Sequence, residues 1–331
     1  MNSVNRLTGL LRAFYLSFWA PTADSMRKWA LAAVVANAGI TVTGASVRVT
    51  KSGLGCPTWP RCTPESFIPQ GHPAHSPINM AIEFGNRMLT FVVLAVALAC
   101  LIGAVRGEPR RTSLVTLALL QPLGVLVQGL WGGLVVRSAL NPFTVSMHFL
   151  ISIGMIAAAW ALYKRCQEDD GPVRPLVPAR VRLIGHAMVA AIAAVIVAGV
   201  VTTGTGPHSG DVAATRFALD LESVARTHSA FVYIAVAITV GLWLALRATG
   251  GPAPAVRATV VLLGVELAQG AIGYLSYFLA IPAFLVAVHV FGATLVWISA
   301  LRAASSLRTR DPLPGVQPVG PIAASPAAQP G

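Results

Sequence analysis

Charge is what this sequence has least of. Only 11% of its 331 residues are Asp, Glu, Lys or Arg, against about 25% in soluble domains. So few charged side chains cannot clothe a globular surface, and 55% of the residues are hydrophobic. The composition excludes an ordinary soluble enzyme and points to a polytopic membrane protein in a lipid bilayer. Acid is scarcer still, with 12 Asp and Glu against 24 Lys and Arg, a net charge of +12. That excess suits residues that fix membrane topology better than a nucleic-acid surface, so no nucleic-acid partner is expected. Cysteine numbers only four. Cys100 lies in an apolar run and Cys166 in a basic loop, and both read as inert thiols, which leaves Cys56 and Cys62. A small-residue cleavage pattern is also lacking after the first apolar run, so that run reads as a retained helix.

What is present is a series of long apolar runs. The basic and polar lead 1–28 contains a candidate interfacial helix at 10–20. Spans are expected at about 29–47, 79–105, 113–136, 143–163, 183–203, 223–246, 258–279 and 283–302. Pro122 is a candidate kink in the third. The loop 48–78 and the linker 164–182 separate spans, RATGGPAPAVR reads as a further linker, and the Pro/Ala/Gly-rich tail 305–331 reads as disordered. Eight spans place both termini on one side. The loops and termini of that side hold seventeen of the 24 Lys and Arg. By the positive-inside rule both termini are cytoplasmic and the 48–78 loop is external, an orientation that the resemblance given below would set in a bacterial plasma membrane. Trp160, Trp243 and Trp297 fall toward the cytoplasmic ends, where an aromatic belt is expected.

The chain also repeats itself. Gln128 to His148 and Gln269 to His289 each begin Gln-Gly, pass a proline and reach a histidine 20 residues on. The two copies lie 141 residues apart, and Asn86 and His228 lie 142 apart. Residues 40–44 (ITVTG) resemble 200–204 (VVTTG). The expected fold is therefore an all-α membrane protein of two tandem four-helix bundles, 29–163 and 183–304, related by a pseudo-two-fold axis near the membrane normal.

His148, His228 and His289 share one layer, roughly 6–10 Å below the outer boundary at 1.5 Å per residue. Polar groups inside apolar helices usually face the bundle interior. Two imidazoles on two helices at one depth can hold a haem iron from both faces, and His228 with His289 is that pair. Zinc is disfavoured, because no third or fourth ligand stands at this depth. In the first half the place of His228 is taken by Asn86, beside Glu83 and Arg87. A single histidine, His148, with a carboxylate nearby leaves one coordination face open for chemistry. The alternative is that Glu83 and Arg87 only pair with each other. A disulfide between Cys56 and Cys62 is allowed outside the membrane, either as a static staple or as a reducible bridge. His72 and His75 read as loop residues and His186 as structural. His208 either contacts a propionate or caps a turn. Glu266 is an intramembrane acid, either moving protons or hydrogen-bonded in place. Arg87, Arg137, Arg216 and Arg226 lie near the outer boundary as candidate propionate partners.

Together these segments resemble the heme A synthase family: SGLGCPTWPRC, IEFGNR, QGLWGGLVV with His148, TGTGPHSGD, the His228 segment, and QGAIGYLSYFLAIPAFLVAVHVFGATLVW. The resemblance covers nearly all of 29–302. It implies haem b in the C-terminal half, ligated by His228 and His289. It implies haem O as substrate in the N-terminal half, with its C8 methyl oxidised to a formyl, Glu83 as the catalytic carboxylate and His148 on the substrate iron. Bacterial members also carry a cysteine pair matching Cys56 and Cys62. The sequence departs from the family pattern at Asn86, where a histidine three residues after the glutamate is usual, and it lacks a second cysteine pair after span five. Expected partners are a haem O synthase (protohaem farnesyltransferase), cytochrome oxidase assembly factors and an electron acceptor whose identity the residues do not give. The rival readings are a non-catalytic di-haem electron-transfer cytochrome, which would want two histidines in both halves, and a repeat-built transporter, which only Glu266 fits.

Overall fold

The computed structural model describes residues 3–70 and 76–311. His72, His75 and the tail beyond 311 lie outside the described residues. Nine helices run through the described chain: α1 Ser3–Trp19, α2 Ala23–Val49, α3 Pro77–Arg106, α4 Thr112–Arg137, α5 Pro142–Arg165, α6 Ala179–Thr205, α7 Leu221–Ala248, α8 Ala253–Phe278 and α9 Ala283–Ser305. The eight from α2 onward are long and apolar enough to cross a membrane. The protein is a multi-pass helical membrane protein.

α2, α3, α5 and α7 start where the sequence supplies a side-chain cap. Thr22 and Ser25 form a reciprocal capping box ahead of α2, and the Ser76 and Asp220 side chains accept from the N–H groups of Asn79 and Ser223. The Ser223 donors hold the Asp220 carboxyl below the usual carboxylate range. Asn141 accepts from Phe143 N–H, with Pro142 as the first residue of α5. Each device satisfies donors that a helix start leaves free. Caps also explain why the helices outrun the apolar runs. α2 begins six residues before 29, because its polar first turn is held by Asp24 paired to Arg27 and Lys28. α8 absorbs part of the expected linker, since Pro252 and Pro254 sit at and just inside its start, where proline costs little.

The helices close into two rings. In the first, α2 packs on α3, α3 on α4, α4 on α5 and α5 back on α2. In the second the same circuit runs through α6, α7, α8 and α9. The rings meet through α2, α5, α6 and α9. Trp297 is buried there and donates from its indole to the Ile153 carbonyl at 3.0 Å. This arrangement is consistent with the expected pseudo-two-fold repeat. So are the turns before α5 and α9. Ala139 and Leu140, and 141 residues later Ala280 and Ile281, all have φ between 50° and 60°. Left-handed conformations are costly for residues with a Cβ, about 1–3 kcal/mol each. Both turns carry the same backbone bonds, Leu140 N–H to Val135 and Ile281 N–H to Ser276.

Two expectations are corrected. The helix expected at 10–20 spans the whole of α1 and shows Leu7, Leu10 and Phe14 outward. Its end is tied down by Arg106, which lies 3.9 Å from the Trp19 ring centroid and donates to the Trp19 carbonyl. The tail is not wholly free after 305. Arg308–Arg310 forms strand β2, antiparallel to β1 at Val173–Pro175 in the 164–182 linker. Leu307 is buried against Gly185, and that anchor aligns the next three residues with the linker.

Candidate functional site

The histidine layer is built by a device repeated in both halves. Gln128 on α4 donates to the His148 carbonyl on α5 at 3.3 Å and to Ser152 Oγ at 2.5 Å. Gln269 on α8 likewise donates to the His289 carbonyl on α9. One helical turn after each glutamine stands a glycine. A Cβ on Gly132 would lie 3.4 Å from His148 Cε1, and one on Gly273 would lie 3.1 Å from His289 Cε1. The glutamine fixes the backbone of the histidine helix while the glycine leaves room for the imidazole. His148 and His289 are both the seventh residue of their helices, so the two rings sit at matched depth.

The second ring adds His228 from α7. Its Nδ1 bonds the Val195 carbonyl at 3.1 Å, and Gly199 leaves space for it, since a Cβ there would lie 3.0 Å from Cε1. That bond leaves the other ring nitrogen, Nε2, without a role in holding the helix. The His228 and His289 ring centroids are 6.4 Å apart at an interplanar angle of 74°. A histidine nitrogen bonds a metal at about 2.0–2.1 Å and lies about 1.1 Å from its ring centroid, so two rings on opposite sides of one iron have centroids about 6.3 Å apart. The observed separation matches that span. His289 Nδ1 is buried without a hydrogen-bond partner among the described residues. No cluster of three or more His, Cys, Asp or Glu suited to a bare metal ion occurs among the described residues.

The first ring differs as its sequence does. Asn86 on α3 accepts at Oδ1 from Thr43 Oγ1 at 2.7 Å, with Gly44 beside it. Glu83 is buried and accepts three donors: Cys56 N–H at 2.7 Å, and Arg87 Nε and Nη2 at 3.2 and 2.6 Å. Arg87 also donates to the carbonyls of Cys56, Thr58 and Arg61. The expected pairing of Glu83 with Arg87 is thus present, and it clasps the loop that Cys56 and Cys62 close by a disulfide. Inside that loop Trp59 lies flat against Gly133 of α4, where a Cβ would collide with its ring. The clasped loop thereby reaches α4, one residue from Gly132, which in turn faces His148 of α5. Arg137 donates to the Trp59 carbonyl.

The loops on this face are latched across the two halves. Arg48, at the end of α2, donates to the carbonyls of Thr203 and His208 at 2.7 and 2.6 Å. The His208 ring bonds the Ile281 carbonyl in the α8–α9 turn at 2.9 Å, so it serves a turn in the other half of its own bundle. Arg216 and Arg226 bond the Pro207 carbonyl and Glu222 respectively. Glu266 accepts from Thr239 at 3.0 Å, and its second oxygen has no hydrogen-bond partner among the described residues. Arg48, Trp59, Thr43 and the three cradle glycines escaped the sequence reading. Gly132 and Gly273 had a signal, because QGLWG and QGAIG repeat at the 141-residue offset, whereas Gly199 lies outside those segments. The latches had none, since their partners are backbone carbonyls far away in sequence.

Fold and site define a class: a polytopic helical membrane protein with a histidine layer in each of two packed rings, symmetric in outline and unlike in residues. Residues 27–301 match the family described as cytochrome oxidase assembly protein, and the chain belongs to that family. A heme A synthase of Geobacillus kaustophilus is 34% identical over 136 residues, 41% of each chain. Heme A synthases of Halalkalibacterium halodurans and Bacillus pumilus are each 30% identical, over 133 and 144 residues. Those stretches cover 40% and 41% of this chain and 43% and 45% of the relatives. The chain thus aligns with less than half the length of these relatives.

Proposed function

We propose that this protein is a heme A synthase, a membrane oxidoreductase that converts the C8 methyl of haem O to a formyl. The observation that carries this reading is the broken symmetry of the histidine layer. One ring pairs His228 with His289; the other offers His148 alone, with Asn86 bonded to Thr43. Two neutral imidazoles close an iron for electron transfer, whereas one leaves a face free. His228 and His289 would hold haem b, whose iron supplies one-electron transfer when bound. His148 would hold the iron of haem O, entering from the bilayer by its apolar tail.

The chain's own groups then have the following roles. Gln128 and Gln269 set the height of the two histidine helices, and Gly132, Gly199 and Gly273 keep the imidazole faces clear. Glu83 brings a buried carboxylate to the substrate half and fixes the disulfide loop through Cys56 N–H. Arg87 pairs with it and donates to the loop carbonyls of Cys56, Thr58 and Arg61. Overall the methyl would lose four electrons, passed on to the electron acceptor, and gain one oxygen: two hydroxylations would give a gem-diol, and loss of water would leave the formyl. The basic loops would face the cytoplasm with both termini, and the disulfide loop would be external. A haem O synthase (protohaem farnesyltransferase) would supply the substrate and cytochrome oxidase assembly factors would take the product.

The test is co-expression with a haem O synthase, followed by pigment extraction and mass analysis. Haem A is expected. Haem O left unconverted, with two haem b per chain, would instead identify a non-catalytic di-haem cytochrome.

A further inference from the structure

At the face opposite the disulfide, a cavity of about 600 Å³ opens between the two rings. Its floor is α5, and its walls are α4 and α6, which each pack on α5 without packing closely on one another. Its rim is basic: Lys164, Arg165, Arg182, Arg308 and Arg310 line it, against one carboxylate, Glu168. Its inner surface is apolar, with Leu117, Ala157, Trp160, Ala161 and Leu301. The two arginines of the tail reach the rim because β2 pairs with β1, and residues two apart on a strand share a face.

The charges at this rim are not balanced from within. Arg165 is satisfied, bonded to Asp170, Ser113 and two carbonyls. Lys164, Arg308 and Arg310 all lean on Glu168, at 3.9, 3.4 and 3.6 Å. These contacts are ion pairs, not hydrogen bonds. Arg310 Nη1 donates to the Gly171 carbonyl at 3.1 Å, but its Nε, with Arg308 Nη1 and Glu168 Oε1, is a buried atom with no hydrogen-bond partner among the described residues. Fork-shaped donors left free beside an apolar slot match a phosphate that carries an alkyl chain.

We propose that this cleft binds an anionic phospholipid, its phosphate held by Lys164, Arg182, Arg308 and Arg310 and one acyl chain laid along Leu117, Ala161 and Leu301. The lipid ties the α4–α5 side of the first ring to α6 and α9 of the second. A basic residue near a membrane surface is worth about fivefold in affinity for anionic lipid, so four of them favour phosphatidylglycerol strongly over phosphatidylcholine.

The experiment is native mass spectrometry of the purified full chain in detergent, titrated with dioleoyl phosphatidylglycerol, dioleoyl phosphatidylcholine or inorganic phosphate. The wild type is expected to retain one phosphatidylglycerol at concentrations where phosphatidylcholine is lost. Arg308→Gln with Arg310→Gln lowers that retention about 25-fold, taking fivefold per charge. Lys164→Gln lowers it about fivefold and leaves the β1–β2 ribbon intact, which covers failure of the double variant to fold. Glu168→Gln raises retention, because it removes the carboxylate that Lys164, Arg308 and Arg310 share. Arg180→Gln, outside the cleft, leaves it unchanged. Equal retention of the two lipids by the wild type would overturn the proposal, as would a Lys164→Gln variant that keeps wild-type retention. Displacement of phosphatidylglycerol by equimolar inorganic phosphate would also overturn it, and would mark the cleft as a small-anion site.

Discussion

The cradle glycines give the sharpest test of the histidine layer. Alanine at Gly273 puts a Cβ 3.1 Å from His289 Cε1 and 3.7 Å from its Nδ1. Carbon atoms prefer about 3.5–4.0 Å, so the imidazole must give by several tenths of an ångström. It cannot slide along α9, because Gln269 holds the His289 carbonyl. Overpacking of this kind costs about 1–3 kcal/mol. The gain in helix propensity from Gly to Ala offsets up to about 1 kcal/mol of that. A net loss of about 1–2 kcal/mol lowers haem affinity roughly tenfold. Gly199→Ala, at 3.0 Å from His228 Cε1, is expected to do the same. Gly132→Ala meets His148 at 3.4 Å, an ordinary contact, and is expected to leave haem b untouched. The assay is titration of haem into haem-depleted protein in detergent, read from the Soret band, with the reduced spectrum as a second readout. If Gly273→Ala and Gly132→Ala bind haem b with equal affinity, the cradle argument is wrong.

Further outcomes are expected at the ligands and at the joint between the rings. His289→Ala should abolish the stable haem b spectrum of the purified protein, and an intact spectrum would remove His289 from the ligand set. Glu83→Ala should leave haem b bound, stop haem A formation and speed amide exchange at 56–62, because Cys56 N–H loses its acceptor; normal haem A in cells carrying it would refute the catalytic assignment. Trp297→Ala should destabilise the protein by about 3–5 kcal/mol, since the ring is buried between the two halves and donates to Ile153; an unchanged melting temperature in detergent would contradict that packing.

Cys100 and Cys166 show how far composition reaches. Both were read as inert thiols, and both are free cysteines. Burial pushes the Cys166 thiol up to about 11, so it stays protonated near neutral pH. Span ends were less legible. They are set by caps such as Thr22–Ser25 and Pro252, which a hydropathy window averages away. The pairing of β1 with β2 was invisible, because Arg308–Arg310 has no strand pattern of its own and is placed by Leu307 docking on Gly185.

The sequence by itself determined the class, the eight spans and the histidine layer, because bilayer thickness dictates run length and a buried polar group in a span must have a use. It also located the break in symmetry at Asn86. Tertiary structure decided what Gln128 and Gln269 are for, that Glu83 and Arg87 grip the disulfide loop, and that the tail arginines turn back to a cleft between the rings. Those facts rest on side chains meeting backbone carbonyls and loops tens to hundreds of residues away, and such meetings leave no periodic trace in a chain.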